Sequence, residues 1–341
     1  MKKYNVAVIG VGVVGIEMLR VLKQRNFPVN TLKVFARSAR DINVDGQVYS
    51  VEPITADGFN GIDIALFAGT EGEKGAAVTY AAEAVKRGAV VIDNGADFRM
   101  DPKVPLVVPE VNAEDVRKHK GIIANPNCST IQMVVALNPL HKKFGIKKII
   151  VTTLQASSGA GKSAVEQLKD ENNLIAQGGF DNLQVNSVNK SMPQQLAYNC
   201  FPHIGSFVDG DYTNEEWKLV KETHKIMHAP KIKISATTVR VPVRTGHSES
   251  IYIETAKPVT PQQARKILAS APGVLVLDDP KSNLYPMPKD AEGRDETFIG
   301  RIRQDAFNKK GLWLWVVADN LRKGAATNAV QIAECVISSS K

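Results

Sequence analysis

The sequence predicts an α/β first domain built as a doubly wound parallel sheet, followed by an α+β domain with a mixed sheet. Three observations carry this. The 341 residues exceed the usual size of one hydrophobic core. The first part alternates short apolar runs with helix-competent stretches, the pattern of a parallel sheet covered by helices. After about Cys128 the runs lengthen and long helical stretches separate only some of them.

In order, Tyr4–Ile9 is a short apolar run suited to a buried parallel strand. The glycine turn Gly10-Val11-Gly12-Val13-Val14-Gly15 follows at once, then helical periodicity through Ile16, Leu19 and Leu22. Further strands are expected at Thr31–Ala36, Ile62–Phe67 and Ala89–Ile92, with a helix at Ala76–Arg87. Second-domain strands are expected at Lys148–Gln155, Ile232–Val241, Ser250–Ala256, Val274–Leu277 and Gly311–Ala318. The amphipathic stretch Ala325–Ile337 is expected to return to the first domain. The boundaries are thus 1–127 completed by 322–341, and 128–321. The Gln- and Asn-rich stretch Ala176–Asn199 reads as an irregular excursion, a partner-contacting arm or a mobile loop.

Composition narrows the class. Hydrophobic residues make up 43% and charged residues 23%, an ordinary globular mix. No apolar run approaches the roughly 20 residues that span a bilayer. Met1-Lys2-Lys3-Tyr4 leads into a strand with no separate apolar region and cleavage site, so a cytoplasmic protein without membrane attachment is expected. The three cysteines, Cys128, Cys200 and Cys335, have neither disulfide-framework nor metal-ligand spacing, so no metal is expected. The net charge of +8 serves solubility or draws an anionic cofactor and substrate. The basic residues are dispersed, which argues against nucleic acid.

Strand, glycine turn and helix together form the context of a Rossmann-type dinucleotide site. Gly10, Val11, Gly12, Val13 and Gly15 would bring backbone close to a pyrophosphate at a helix N-terminus. An NAD site wants an acid at the end of the second strand. Here that strand ends Phe35-Ala36-Arg37-Ser38, and Arg37 with Ser38 suits a 2′-phosphate, which favours NADP.

Asn125-Pro126-Asn127-Cys128-Ser129-Thr130 precedes the helix-competent run Ile131–Leu140. Cys128 near a helix N-terminus is the candidate nucleophile, because that setting favours the reactive thiolate. Asn127 and nearby backbone N–H groups are candidate oxyanion donors. A cysteine nucleophile needs an acid/base partner. Of six histidines, His247 has the most suggestive surroundings, a glycine-containing connection between strands with Arg240 and Arg244 nearby.

These segments, with Gln155-Ala156-Ser157-Ser158-Gly159-Ala160-Gly161, Glu215-Glu216-Trp217-Lys218, Asp93 to Arg99 and Asp319-Asn320-Leu321-Arg322-Lys323-Gly324, occur in an order that resembles the bacterial aspartate-semialdehyde dehydrogenases over nearly the whole chain. The resemblance implies that Cys128 forms an acyl-thioester, His247 is the acid/base residue and Gln155 orients the intermediate. It implies Arg240 for the substrate carboxylate, Glu216 for its ammonium, Arg99 and Lys218 for phosphate, and Ser158, Gly159 and Asn320 beside NADP. It also implies a homodimer formed through the second, catalytic and dimerisation, domain. Two departures stand out: the glycine turn is one residue shorter than the family's GATGAVG, and Gly69-Thr70-Glu71-Gly72-Glu73-Lys74 is unusually acidic.

The reaction implied is reduction of L-4-aspartyl phosphate to the semialdehyde with release of phosphate. Rival readings are N-acetylglutamyl-phosphate reductase, against which Glu216 argues, an acyl-CoA reductase, against which Arg99 and Lys218 argue, and a non-catalytic NADP-binding sensor, which would have no need of Cys128 and His247.

Overall fold

The computed structural model describes residues 2–69, 75–179 and 191–339. It divides into two compact units, one of residues 1–127, 225–227 and 324–341, the other of residues 128–224 and 228–323.

The first unit opens with β1 (Tyr4–Ile9), α1 (Val13–Gln24) and β2 (Val29–Ala36). A hairpin of β3 (Arg40–Val44) and β4 (Gln47–Pro53) follows. Then come β5 (Ile64–Phe67), α2 (Ala76–Lys86), β6 (Val90–Asp93), the one-turn α3 (Pro109–Asn112) and β7 (Ile122–Ala124). The seven strands lie in the order β3-β4-β2-β1-β5-β6-β7. All pairings are parallel except β3 with β4, so the predicted parallel sheet carries an antiparallel edge. Asp45 and Gly46 both take positive φ there, the geometry of a tight Asp-Gly hairpin turn.

Alternation along β1 explains the double winding. Val6 and Val8 face one side, with Met18, Leu19 and Leu22 of α1. Ala7 and Ile9 face the other, with Ala77, Ala81 and Ala84 of α2, whose small side chains let that helix lie close.

The second unit begins with α4 (Cys128–Phe144), β8 (Ile146–Gln155), α5 (Lys162–Gly178) and α6 (Asn214–Ile226), whose last residues cluster with the first unit. It continues with β9 (Lys233–Arg240), β10 (His247–Thr255), α7 (Pro261–Ala269), β11 (Val274–Val276), α8 (Pro288–Ala291), β12 (Thr297–Gln304) and β13 (Gly311–Ala318). The sheet order is β11-β12-β13-β10-β8-β9, with β8 parallel to β9 and antiparallel to β10, so the sheet is mixed as predicted. Helices α4 and α7 pack on one face. A single wider turn at Arg322–Ala326 then leads into α9 (Thr327–Ser339), which returns to the first unit and buries Ala329, Val330, Ile332 and Ala333 in the α1 side of its core.

Four strands are absent from the sequence reading: the exposed hairpin pair β3 and β4, and β7 and β12. β7 has only three residues, and β12 is broken by a register shift between Gly300 and Arg303, with Arg301 at φ 49°, which spoils its alternation. The expected irregular stretch Ala176–Asn199 begins inside α5. Its residues 180–190 lie outside the described ones, as do residues 70–74 of the acidic segment. Residues 191–197 are tied to α5: Gln167 Oε1 accepts from Ser191 and Met192 N–H, and Glu171 Oε2 from Leu196 and Ala197 N–H.

Candidate active site

Cys128 is the first residue of α4 and is half-buried. It therefore stands where the unsatisfied N–H groups of the first turn and the helix dipole favour a thiolate.

Three of the predicted residues come from adjacent strands at one level of the sheet. Arg240 ends β9 and pairs with Gln155, which ends β8. Leu154 pairs with Ser248, which brings Gln155 level with His247. His247 is the first residue of β10, paired with Ala318 of β13, and not part of the preceding connection as the sequence suggested. A strand end holds a side chain more rigidly than a loop does, and this rung is polar and nearly closed to solvent. Gln155, Arg240 and His247 are all buried.

One residue orients two of them. Ala156 N–H donates to His247 Nδ1 at 3.0 Å, and Arg240 Nη1 donates to Ala156 C=O at 2.6 Å. A ring nitrogen that accepts a backbone N–H bears no proton, so the neutral imidazole carries its proton on Nε2. Burial, helped by the nearby Arg240 charge, holds His247 well below the usual histidine range, so it is neutral at pH 7. Nε2 is buried, and a Cβ on the exposed Gly159 would stand 3.0 Å from it. Gly159 thus leaves room for an acceptor at Nε2–H. Burial also pulls the Arg240 guanidinium down, opposed by the charges of Glu215 and Cys128.

Glu216, expected to meet a substrate ammonium, is committed elsewhere. Its Oε2 accepts from Thr213 N–H at 2.8 Å and its Oε1 from Thr238 N–H at 3.0 Å. It ties the start of α6 to β9. Its neighbour Glu215 is the one that meets other predicted site residues: Gln155 Nε2 donates to Glu215 Oε1 at 3.2 Å, and Lys218 Nζ lies 3.4 Å from Oε2. Residues 215 and 218 are three apart on a helix and share a face, whereas 216 points about 100° away. That spacing was the signal that could have chosen Glu215 from the sequence.

Asn320 also has a positioning part. Its Oδ1 accepts from Gly246 N–H at 2.9 Å, and its Nδ2 donates to Ser158 Oγ at 2.9 Å. With Ser157 and Ser158 N–H donating to the carbonyls of Val243 and Arg244, the turn from Ser157 to Ala160 is fastened beside His247.

Within the first unit, the shortened glycine turn still closes. Gly10 takes φ 99°, a conformation open to glycine. A Cβ on Gly15 would come within 1.8 Å of Gly10 O, so the helix can leave the strand this sharply only with glycine there. Gly12 is the α1 N-cap, has no side-chain cap and faces open space. These features fit a pyrophosphate laid on the helix N-terminus. Arg37 and Ser38 are exposed just beyond β2, and Arg40 donates to Ser38 Oγ at 3.1 Å. Arg99 is buried, its Nη2 donating to Asn94 O at 2.7 Å. Its loop is clamped by Lys225 Nζ, which donates to the carbonyls of Arg99, Asp101 and Val104. Asn127 is buried and directly precedes Cys128.

Comparison with known proteins assigns the two halves separately. Residues 5–119 match the family described as semialdehyde dehydrogenase, NAD binding domain, and residues 137–323 the family described as semialdehyde dehydrogenase, dimerisation domain. Fold and site together therefore define a two-domain semialdehyde dehydrogenase, an oxidoreductase. Aspartate-semialdehyde dehydrogenase of Aquifex aeolicus (strain VF5) is 53% identical, with 98% of both chains covered, and that of Bacillus subtilis (strain 168) is 48% identical, over 97% of this chain and 96% of the other. The crystal structure of aspartate semialdehyde dehydrogenase II from Vibrio cholerae complexed with ASA matches with a TM-score of 0.92 at 41% identity, over 99% of each chain. The chain belongs to the aspartate-semialdehyde dehydrogenase family.

Proposed function

We propose that this chain reduces L-4-aspartyl phosphate to L-aspartate 4-semialdehyde, with NADPH, through a thioester on Cys128. The observation that carries the reading is the rung Arg240–Gln155–His247, with Ala156 fixing the two basic residues and the charges of Arg240 and Cys128 acting on each other.

The Cys128 thiolate attacks the acyl carbon, the C–O bond to phosphate breaks, and the thioester forms. Arg240 pairs with the α-carboxylate, for which a forked guanidinium is suited. Glu215 takes the ammonium, and Gln155, bonded to Glu215, orients the acyl group. Arg99 and Lys218 receive the departing phosphate, a role that rests on the family resemblance. Bound NADPH supplies a hydride to the thioester carbon. His247 donates Nε2–H to the tetrahedral oxygen while it bears negative charge, and the Cys128 thiolate leaves as the C=O re-forms. A neutral imidazole suffices for this, because neither covalent step requires His247 to remove a proton.

The 2′-phosphate of NADP is read by Arg37 and Ser38, with Arg40 steadying the serine. Domain roles follow: 1–127 with the C-terminal helix binds NADP, and 128–321 carries catalysis and dimerisation. The sheet face of the second unit away from α4 supports a homodimer. There Ile150 is 39% exposed, and Leu154, Trp313 and Val239 are half-buried. Among the described residues no helix is long and apolar enough to cross a membrane; a cytoplasmic location is part of the proposal.

Glu215 weakens the acetylglutamyl-phosphate alternative, whose substrate amine carries no charge to pair. The test is the reverse assay: semialdehyde plus phosphate with NADP or NAD. Wild type should turn over with NADP preferred, and C128S should lose nearly all activity while still binding NADP. Full activity in C128S would refute the thioester route.

A further inference from the structure

One polar pair in the second unit has no part in the scheme above. Glu249 lies in β10 two residues beyond His247, so both side chains point to the same face of the sheet. Helix α4 packs on β10. Glu249 is wholly buried, and neither of its carboxyl oxygens has a hydrogen bond of standard geometry. Gln132 of α4 is in the same condition: it is 1% exposed, and both amide atoms are buried without such a bond. Gln132 is four residues after Cys128, on the same face of the helix one turn on. Its amide is the side chain that acts on the Glu249 carboxyl.

We propose that Glu249 and Gln132 form a buried acid–amide clasp that pins the first turn of α4, and with it Cys128, to the strand that carries His247. The groups are complementary when the acid is neutral. The Glu249 O–H donates to Gln132 Oε1, and Gln132 Nε2–H donates to the remaining carboxyl oxygen. Burial favours that neutral form and, outweighing the opposite pull of the Gln132 amide, pushes Glu249 well above the carboxylate range. The sheet offers no competing charge on its rung: Thr153 of β8 stands opposite on one side and Val316 of β13 on the other. The nearest titratable group along β10 on that face is the neutral His247. An ionised Glu249 would set a second negative charge close to the thiolate. A bridge between the helix that presents the nucleophile and the strand that presents its partner sets their separation. Glu249 is therefore a positioning residue, and the inference rests on the thioester reading given above.

The test compares E249Q, E249L, Q132L and the double variant E249L/Q132L. Measured are kcat and KM in the reverse assay, and the rate at which iodoacetamide alkylates Cys128. E249L and Q132L should each lose about 10²-fold in kcat, the scale of a small misplacement of reacting groups, with KM little changed and alkylation slowed. The double variant should lose no more than either single one, and E249Q, which keeps shape and hydrogen bonding, should regain most of the loss. If E249L does not fold, Q132L carries the same test. Folded E249L or Q132L with full kcat and unaltered alkylation would overturn the clasp, and so would E249Q as impaired as E249L. Full turnover by C128A would overturn the thioester reading and the clasp with it. An inactive C128A beside a fully active E249L would overturn the clasp alone.

Discussion

At the scale of residues, neighbouring side chains of the same type have been given different tasks by backbone geometry. Glu215 and Glu216 are adjacent and buried, yet one meets Gln155 and Lys218 while the other accepts two backbone N–H groups. E215Q should lower kcat/KM about 10- to 100-fold, because the proposed charge-assisted bond to the substrate ammonium would be worth roughly 1.5–3 kcal/mol. E216Q should instead cost about 1–2 kcal/mol of stability in urea, since an amide nitrogen would then face a backbone N–H, and leave turnover near normal. The reverse pattern would return the substrate contact to Glu216. Glu249 makes a pH prediction. Its folded value lies well above the ordinary 4.5, so its contribution to stability is fully present below pH 4.5 and is lost as pH rises toward the folded value. His247 acts in the opposite sense. Held below 6.5, it contributes stability above that pH and loses it as pH falls. E249Q should therefore gain on wild type as pH rises from 5 to 8, by at most about 1.4 kcal/mol per pH unit. Parallel denaturation curves for the two proteins would contradict a neutral buried acid.

At the scale of elements, the site is assembled from ends: the first residue of α4, the last of β8 and β9, and the first of β10. The Ser157–Ala160 turn lies beside two of them, with Gly159 set against His247 and Arg240. G159A should fold normally, since that residue is exposed and its φ is unexceptional. The added methyl would lie 3.0 Å from His247 Nε2 and 3.5 Å from Arg240 Nη1, so kcat should fall by about 10-fold or more with melting temperature unchanged. A G159A enzyme with full kcat would show that Nε2 does not receive the reacting oxygen. The central parallel strands β1, β2, β5 and β6 were legible because continuous apolar runs such as Ile64–Phe67 are buried on both faces. The β3–β4 hairpin escaped notice although Asp45-Gly46 announces it, because its strands are mostly exposed and carry little apolar pattern.

At the scale of the whole molecule, the second unit has one sheet face covered by α4 and α7 and another that keeps apolar side chains in partial contact with solvent. I150E should dissociate the proposed homodimer in sedimentation velocity, because a charge buried in an apolar contact is costly unless paired. A wild-type monomer at micromolar concentration would refute the dimer.

The sequence by itself determined the class of the protein. The strand–glycine–helix order, the arginine and serine after β2, and a cysteine before a helix are local signals, each read within a few residues. Local signals singled out Cys128 and His247, and the ordered motifs that resemble the family added Gln155 and Arg240. Tertiary structure alone decided which nitrogen of His247 carries the proton, and that Glu249 and Gln132 meet. Those outcomes depend on register between strands and on the angle at which a helix crosses them. Residues 117 positions apart in the chain become neighbours only after packing, and no periodicity in one segment encodes what the other will present to it.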